Sequence, residues 1–350
     1  MKTIFNAVQM GHKPQRYLSK GNMVHYPDQP ERVRRLLQGV RSAKGVIHAA
    51  KTFDTSFYTA AHSPRYLDFL ENGFRQWTEL EGSYKEMMPS VRPMPGVNDY
   101  PSHVLGRAGW HLSDFSCPVV FDTWNVIKAS ANTALTAAQA VAEGDRSVYA
   151  LCRPPGHHAQ YDRAGGFCYL NNAALAATWL RKTKERVAIL DIDVHHGNGT
   201  QQIFYQNKNV FTVSIHGDPD QFYPFFQGYE SQKGAGNGEG FNLNLPLPVK
   251  SGNSVWLGKL EQAVLAIEEF DPGALVLSLG LDAHEADPLE GGAVTTEGFA
   301  EMATMIRNLN LPTVIIQEGG YLTPYLGDSL ASFLNAYQSN VVSMTVSTER

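Results

Sequence analysis

From about residue 125 onward, the chain alternates short β-branched runs ending in Gly, His or Asp with longer Ala- and Leu-rich stretches of helical spacing. Parallel strands cannot be joined by a tight turn, so this alternation predicts an open parallel sheet with helices on its faces. The pattern places strands at Ser147–Cys152, Val187–Asp193, Val210–Ile215, Ala274–Leu281 and Thr313–Gln317, with helices near 126–143, 172–184, 199–206, 254–270, 297–309 and 325–337. Met1-Lys2-Thr3-Ile4-Phe5 reads as one more short strand. No repeat and no Pro-, Ser- or Gly-rich interruption divides this region, so a single α/β domain is expected over residues 1–338, with 339–350 as a frayed tail. At 350 residues, 43% apolar and 18% charged, the chain can bury a sizeable core, which excludes disordered and fibrous classes.

Residues 84–118 break the pattern. They carry Pro89, Pro93, Pro95, Pro101 and Pro118 among glycines and aromatics, with little periodicity, and read as one long loop. A loop of that length suits a lid, a binding loop or a contact with a second copy of the chain, so a homodimer is expected through it. The formal charge of −5 gives no reason to expect nucleic acid or an anionic membrane as partner. No apolar run reaches the roughly 20 residues of a membrane span. Cys117, Cys152 and Cys168 lack CxxC spacing and are too few for a disulfide scaffold. With no secretory pattern at the amino terminus, a cytoplasmic location is the expectation.

Open parallel sheets bind ligands beyond the carboxyl ends of their strands, and those positions are unusually polar here. The strand ends lead into Arg153-Pro154-Pro155-Gly156-His157-His158, Asp191-Ile192-Asp193-Val194-His195-His196-Gly197-Asn198-Gly199, Ser214-Ile215-His216, Gly280-Leu281-Asp282 and Glu318-Gly319-Gly320-Tyr321. With 12 histidines in the chain, chance gives roughly 0.4 adjacent pairs, yet two pairs fall at predicted strand ends. In an extended segment, alternate side chains point the same way, so Asp191, Asp193 and His195 can face one point. Asp282, at another strand end, completes a set of two carboxylates and one imidazole. Such a set leaves a coordination position open, which is how catalytic zinc is held.

These blocks, together with Gly165-Gly166-Phe167-Cys168-Tyr169-Leu170-Asn171-Asn172 and His62-Ser63-Pro64-Arg65-Tyr66-Leu67, resemble the histone deacetylase superfamily. Among its branches they are most similar to bacterial acetylpolyamine amidohydrolases. The resemblance runs in consistent order over about residues 20–337. It implies the arginase/deacetylase fold, an eight-stranded parallel sheet, and zinc-dependent hydrolysis of an acetylamide, with a small acetylated amine as substrate. Zinc on Asp193, His195 and Asp282 would polarise the amide carbonyl and acidify water. The resemblance pairs His157 with Asp191 and His158 with Asn198. A carboxylate stabilises imidazolium more than a neutral amide does, so His158 suits the general base and His157 the electrostatic partner. Tyr321, on a glycine-preceded loop, suits donation to the developing oxyanion.

By resemblance, Gly166, Phe167 and Tyr223 line a narrow acyl channel. A potassium ion is also implied, on Asp191, Asp193, His195, Ser214 and Ile215. One departure concerns the rim. Ser116 stands where many family members carry an acid that grips the substrate backbone, so either Asp114 replaces that acid or peptide recognition is weakened. The departure favours a small amine over protein acetyl-lysine, the alternative substrate. A binuclear manganese ureohydrolase on the same fold would usually need a second Asp two residues after Asp282, where His284 stands. A non-catalytic binding module would not need a candidate for every catalytic role.

Overall fold

Side chains alternate across an extended strand, so a strand covered on both faces must be apolar along most of its length. Val187–Asp191, Leu275–Leu279 and Thr313–Gln317 meet that condition and are buried at every position. They form the middle of an eight-stranded sheet in the computed structural model, which describes residues 1–339. In chain order its strands are β1 (Lys2–Phe5), β2 (Val46–Ala49), β3 (Ser147–Ala150), β4 (Val187–Asp191), β5 (Val210–Gly217), β6 (Asn242–Leu247), β7 (Leu275–Leu279) and β8 (Thr313–Gln317). Their order across the sheet is β2-β1-β3-β8-β7-β4-β5-β6, and every neighbouring pair is parallel.

Each face of the sheet has its own core. Val148, Ile189, Val276 and Ile316 pack toward one cluster, whereas their neighbours Tyr149, Leu190, Leu277 and Ile315 pack toward the other. The helices are α1 (Pro30–Ser42), α2 (Pro64–Thr78), α3 (Val104–His111), α4 (Thr123–Ala142), α5 (Asn172–Leu180), α6 (Asn198–Phe204), α7 (Asn253–Phe270), α8 (Thr296–Asn308) and α9 (Leu326–Gln338). The first cluster takes residues from α2 to α6, the second from α1, α7, α8 and α9. Among the described residues, no helix is long and apolar enough to cross a membrane.

The structure adds α1, α2 and a hairpin of Arg16–Ser19 with Asn22–His25 to the sequence reading, and departs from it at the sheet edges, at several element ends and in residues 84–118. The edge strands β2 and β6 were not expected: β2 is exposed along its length, and β6 carries Asn242, Asn244 and Pro246 in an alternating pattern. Strands β3, β4 and β7 stop two residues earlier than expected, at Ala150, Asp191 and Leu279, because the chain turns there to present polar groups. Residues 84–118 are not one uninterrupted loop. Val104–His111 is helical, capped at its start by His103 Nδ1, which accepts from Leu105 N. Arg107 ties that helix to α2 through Asp68 and Gln76. The expected tail lies outside the described residues except for Ser339.

Candidate active site

The chain runs outward from β4 through β5 to β6, then returns to place β7 on the other side of β4. The winding reverses between β4 and β7, the place where open α/β sheets bind ligands, and Asp193 and Asp282 follow these two strands. Ligand atoms of Asp193, His195 and Asp282 lie within 4.8 Å of one another, and all three side chains are buried. His195 Nδ1 stands 3.1 Å from both Asp193 Oδ1 and Asp282 Oδ2. That nitrogen carries one proton at most, so it cannot satisfy two carboxylates. Burial and the nearby Asp193 charge push the Asp282 carboxyl upward. Burial's upward push on Asp193 is outweighed by His157 and His195, which hold it low, so its charge is what Asp282 has to face. Two buried carboxylates with a single imidazole between them are a donor set that fits a divalent cation.

The His pair sits beside this set, its ring centroids 4.0 Å apart. His157 Nδ1 is 2.9 Å from Asp191 Oδ2. Burial by itself works against charge on His157, but Asp193 and Asp191 outweigh it and hold its pKa well above the ordinary value. His158 Nδ1 lies 2.7 Å from Asn198 Oδ1, an acceptor, so the nitrogen must donate. Burial, reinforced by the charges of His157 and His195, drives the His158 pKa well below its ordinary value. Two adjacent imidazoles thus prefer opposite protonation states. Both partner assignments expected from the sequence are present.

Tyr321 packs against Phe167 at a centroid distance of 5.7 Å, with Tyr26 in the same cluster. Its backbone N donates to Asp287 Oδ2 at 2.8 Å, and Arg32 lies over its ring while holding the carbonyls of Glu318 and Gly320. Phe167 has φ of 67°, and Gly166 before it has φ of 53°. A Cβ on Gly166 would come within 2.2 Å of His158 Cδ2, so only glycine admits both the turn and the His158 ring. The Tyr223 ring stands 5.0 Å from the His158 ring, edge to face, and 6.1 Å from the His195 ring.

Asp114 is near the site but turned inward. Its Oδ1 accepts from the backbone N and the hydroxyl of Ser116, and its Oδ2 accepts from Tyr223 OH at 2.6 Å and Gly166 N at 3.1 Å. Four donors fill the roughly four acceptor positions of a carboxylate. The acid fastens the rim together and has no lone pair left for a peptide backbone. Asp191 pairs in register with Ser214, and a cavity of about 10 Å³ touches both. Ile215, one residue on, turns into the core. His284 stays apart from the ligand set: its ring stacks on Tyr325, and its Nδ1 accepts from Ala286 N.

Three groups carry more than the sequence reading gave them. Asp28, fully buried, binds both Arg32 and Arg153, and burial's upward push on its carboxyl is outweighed by Arg153 and Arg32. Asp287 holds the Tyr321 backbone. Glu318 Oε2 accepts from Gly156 N at 2.6 Å and His157 N at 3.1 Å, while its Oε1 is buried without a partner. Glu318 was visible as part of a motif, but nothing in the pattern showed that its side chain points back under the His pair.

Burial raises the Glu318 carboxyl to about 7, from an ordinary 4.5. A raised carboxyl pKa means that the folded state binds the proton more tightly than the unfolded chain does. The corresponding stability is complete below 4.5 and is lost as pH rises through about 7. Glu318→Gln should remove this loss, a difference of up to about 3 kcal/mol between wild type and variant across that window. Urea midpoints at both ends of the window measure it; identical pH profiles would contradict a raised Glu318.

The strand-end ligands, the paired imidazoles and the Tyr321 loop occur together in a chain whose residues 26–337 match the histone deacetylase domain. The chain belongs to the histone deacetylase family. It is 43% identical to the acetylpolyamine amidohydrolase of Burkholderia pseudomallei over 96% of its length and 98% of that protein. It is 38% identical to acetylpolyamine amidohydrolase 1 of Pseudomonas aeruginosa over 97% of its length and 99% of that protein. A crystal structure of the Burkholderia pseudomallei acetylpolyamine aminohydrolase superposes with a TM-score of 0.92, covering 96% of this chain and 98% of that one. The HD domain of HDA15 shares the fold at a TM-score of 0.80 and 25% identity, over 97% and 91% of the two chains.

Proposed function

We propose that this member of the histone deacetylase family hydrolyses the acetylamide of acetylated polyamines or similar small amines, with one zinc ion held by Asp193, His195 and Asp282. The observation that carries the reading is the pair of imidazoles, one partnered by the Asp191 carboxylate and the other by the Asn198 amide, beside the Asp193, His195 and Asp282 set. When bound, zinc supplies Lewis-acid polarisation of the amide carbonyl and activation of water. His158, neutral and with Nδ1 committed to Asn198, has its Nε2 lone pair free to take the water's proton. His157, held cationic by Asp191, stabilises negative charge as the carbon–oxygen bond forms. The Tyr321 hydroxyl donates to the carbonyl oxygen as that charge develops. The carbon–nitrogen bond then breaks as the proton taken up by His158 passes to the nitrogen, and acetate and the free amine leave.

Phe167 and Tyr223 form apolar walls suited to an acyl chain. Asp191, Asp193, His195, Ser214 and Ile215 are the residues we assign to a potassium ion, supported by the Asp191–Ser214 register, which brings the first and fourth of them side by side. The rim favours small amines over protein lysine, because Asp114 is saturated by internal donors. A panel of acetylated polyamines and acetyl-lysine peptides tests the substrate class by kcat/KM. Higher values for the polyamines are expected, and a consistent preference for peptides would overturn the assignment.

The roles of the His pair predict a directional pH effect. Asn198→Asp places a carboxylate against His158 Nδ1, which stabilises the imidazolium and raises its pKa. Because the base must be neutral to act, the acid limb of the kcat/KM profile should move to higher pH. A zinc-replete variant whose acid limb stayed in place or moved down would remove His158 as the base or Asn198 as its partner.

A further inference from the structure

Asn198 can serve His158 in either of two orientations, and only one gives a working base. With Oδ1 toward the ring, His158 Nδ1 donates and Nε2 keeps its lone pair. With the amide reversed, Nδ2 would donate to Nδ1, and the neutral ring would carry its proton on Nε2. The proton-accepting position would then be occupied. Asn198 cannot choose by itself, since its two ends are nearly equal in size.

The choice is supported from the far side. Asn198 Nδ2 donates to Gln227 Oε1 at 3.1 Å, its sole side-chain acceptor among the described residues. Gln227 sits in the loop after β5, next to the exposed Phe225 and Phe226, yet its place in space is fixed from below. Gly228, the next residue, has φ of 109°, and a Cβ there would come within 2.7 Å of His216 Nε2. Its carbonyl accepts from His216 Nε2 at 2.9 Å, and its N donates to Gln232 Oε1 at 2.8 Å. His216 Nδ1 is in turn 2.9 Å from Ser214 Oγ on β5, and Gln201 of α6 donates to Gln232 Oε1 at 2.9 Å. The buried end of the loop is thus anchored to the sheet and to the helix that begins with Asn198 itself.

We propose that Gln227 is a positioning residue: by accepting from Asn198 Nδ2 it holds the Asn198 amide so that His158 is kept as the Nδ1–H tautomer. This inference rests on the assignment of His158 as the base, but its direct observable is where the ring proton sits, which exists whether or not the enzyme turns over. By analogy with the outer partners that orient metal-ligating histidines, removal of Gln227 should change activity by about 10- to 100-fold.

The test is ¹⁵N-histidine NMR of the zinc-loaded protein, at a pH where His158 is neutral, alongside steady-state kinetics. Wild type is expected to show His158 protonated at Nδ1. Gln227→Glu, whose carboxylate can only accept, should keep that tautomer. Gln227→Leu, which offers no acceptor, should populate the Nε2–H form and lower kcat about 10-fold with little change in KM. Gln227→Lys can only donate and should turn the ring over to Nε2–H; it also serves as the second variant should Gln227→Leu fold poorly. A single Nδ1–H tautomer in both the Leu and Lys variants would overturn the role of Gln227. A tautomer that follows the substitutions in a protein inactive on every acetylamide would uphold it and instead refute the proposed reaction.

Discussion

Replacement of Asp282 by alanine is expected to reduce bound zinc from one per chain to near zero and amide hydrolysis to background, while the sheet remains folded. Asp282 follows β7, and its Oδ1 accepts from Val194 N at 3.1 Å, so truncation removes one ligand and one local tether without touching either core. The size of the stability change is informative. In the metal-free protein, Asp282 is a buried carboxyl pushed upward by burial and by Asp193. Removing it relieves that conflict but leaves the buried Val194 N without its acceptor and His195 with one carboxylate fewer, so the metal-free variant should be less stable than metal-free wild type by only about 1–3 kcal/mol. Metal analysis, activity and thermal unfolding together check this. Full zinc occupancy in the variant would mean that the ligand set is wrong, and a large loss of metal-free stability would mean that the carboxylates are held by something other than a missing cation.

Tyr321→Phe should lower kcat by about 10²–10³ while leaving zinc content and KM close to wild type, the usual cost of losing one donor to a developing oxyanion. The substitution is clean because the ring's position does not depend on its hydroxyl. Asp287 holds the backbone N, Arg32 lies 5.1 Å over the ring centroid, and Phe167 meets its face edge-on. Phenylalanine preserves all three contacts. An unchanged kcat would take Tyr321 out of the reaction.

What the sequence revealed and what it hid divide along physical lines. Strands buried on both faces have an apolar signature, so β4, β7 and β8 could be read directly, as could the polar residues that follow them. Edge strands β2 and β6 satisfy only one side and follow no such rule. Helix α3 was hidden because it is eight residues long, lies among prolines, and owes its stability to Arg107 reaching Asp68 and Gln76 on another helix. The same holds within the site. Asp193, His195 and Asp282 are marked by strand-end position and spacing. The inward turn of Asp114 and the reach of Glu318 beneath His157 depend on contacts between segments distant in the chain, which no local pattern encodes. Gln227 belongs to that second group.

The ligand set also bears on the order of events when the chain folds. His195 and Asp282 are separated by 87 positions and meet only because β7 inserts beside β4 after the chain has gone out to β6 and back. Closing so large a loop carries an entropic cost that a single ion on two or three isolated side chains cannot repay. Capture of the proposed ion would therefore be a late event, following formation of the central strands, unlike small zinc modules in which the ion nucleates the fold. Zinc bound as proposed would then act as a ligand of the finished protein, raising its stability by mass action as free metal exceeds the dissociation constant. The refolding rate of the chain should be indifferent to zinc concentration, and its unfolding should slow as zinc is added.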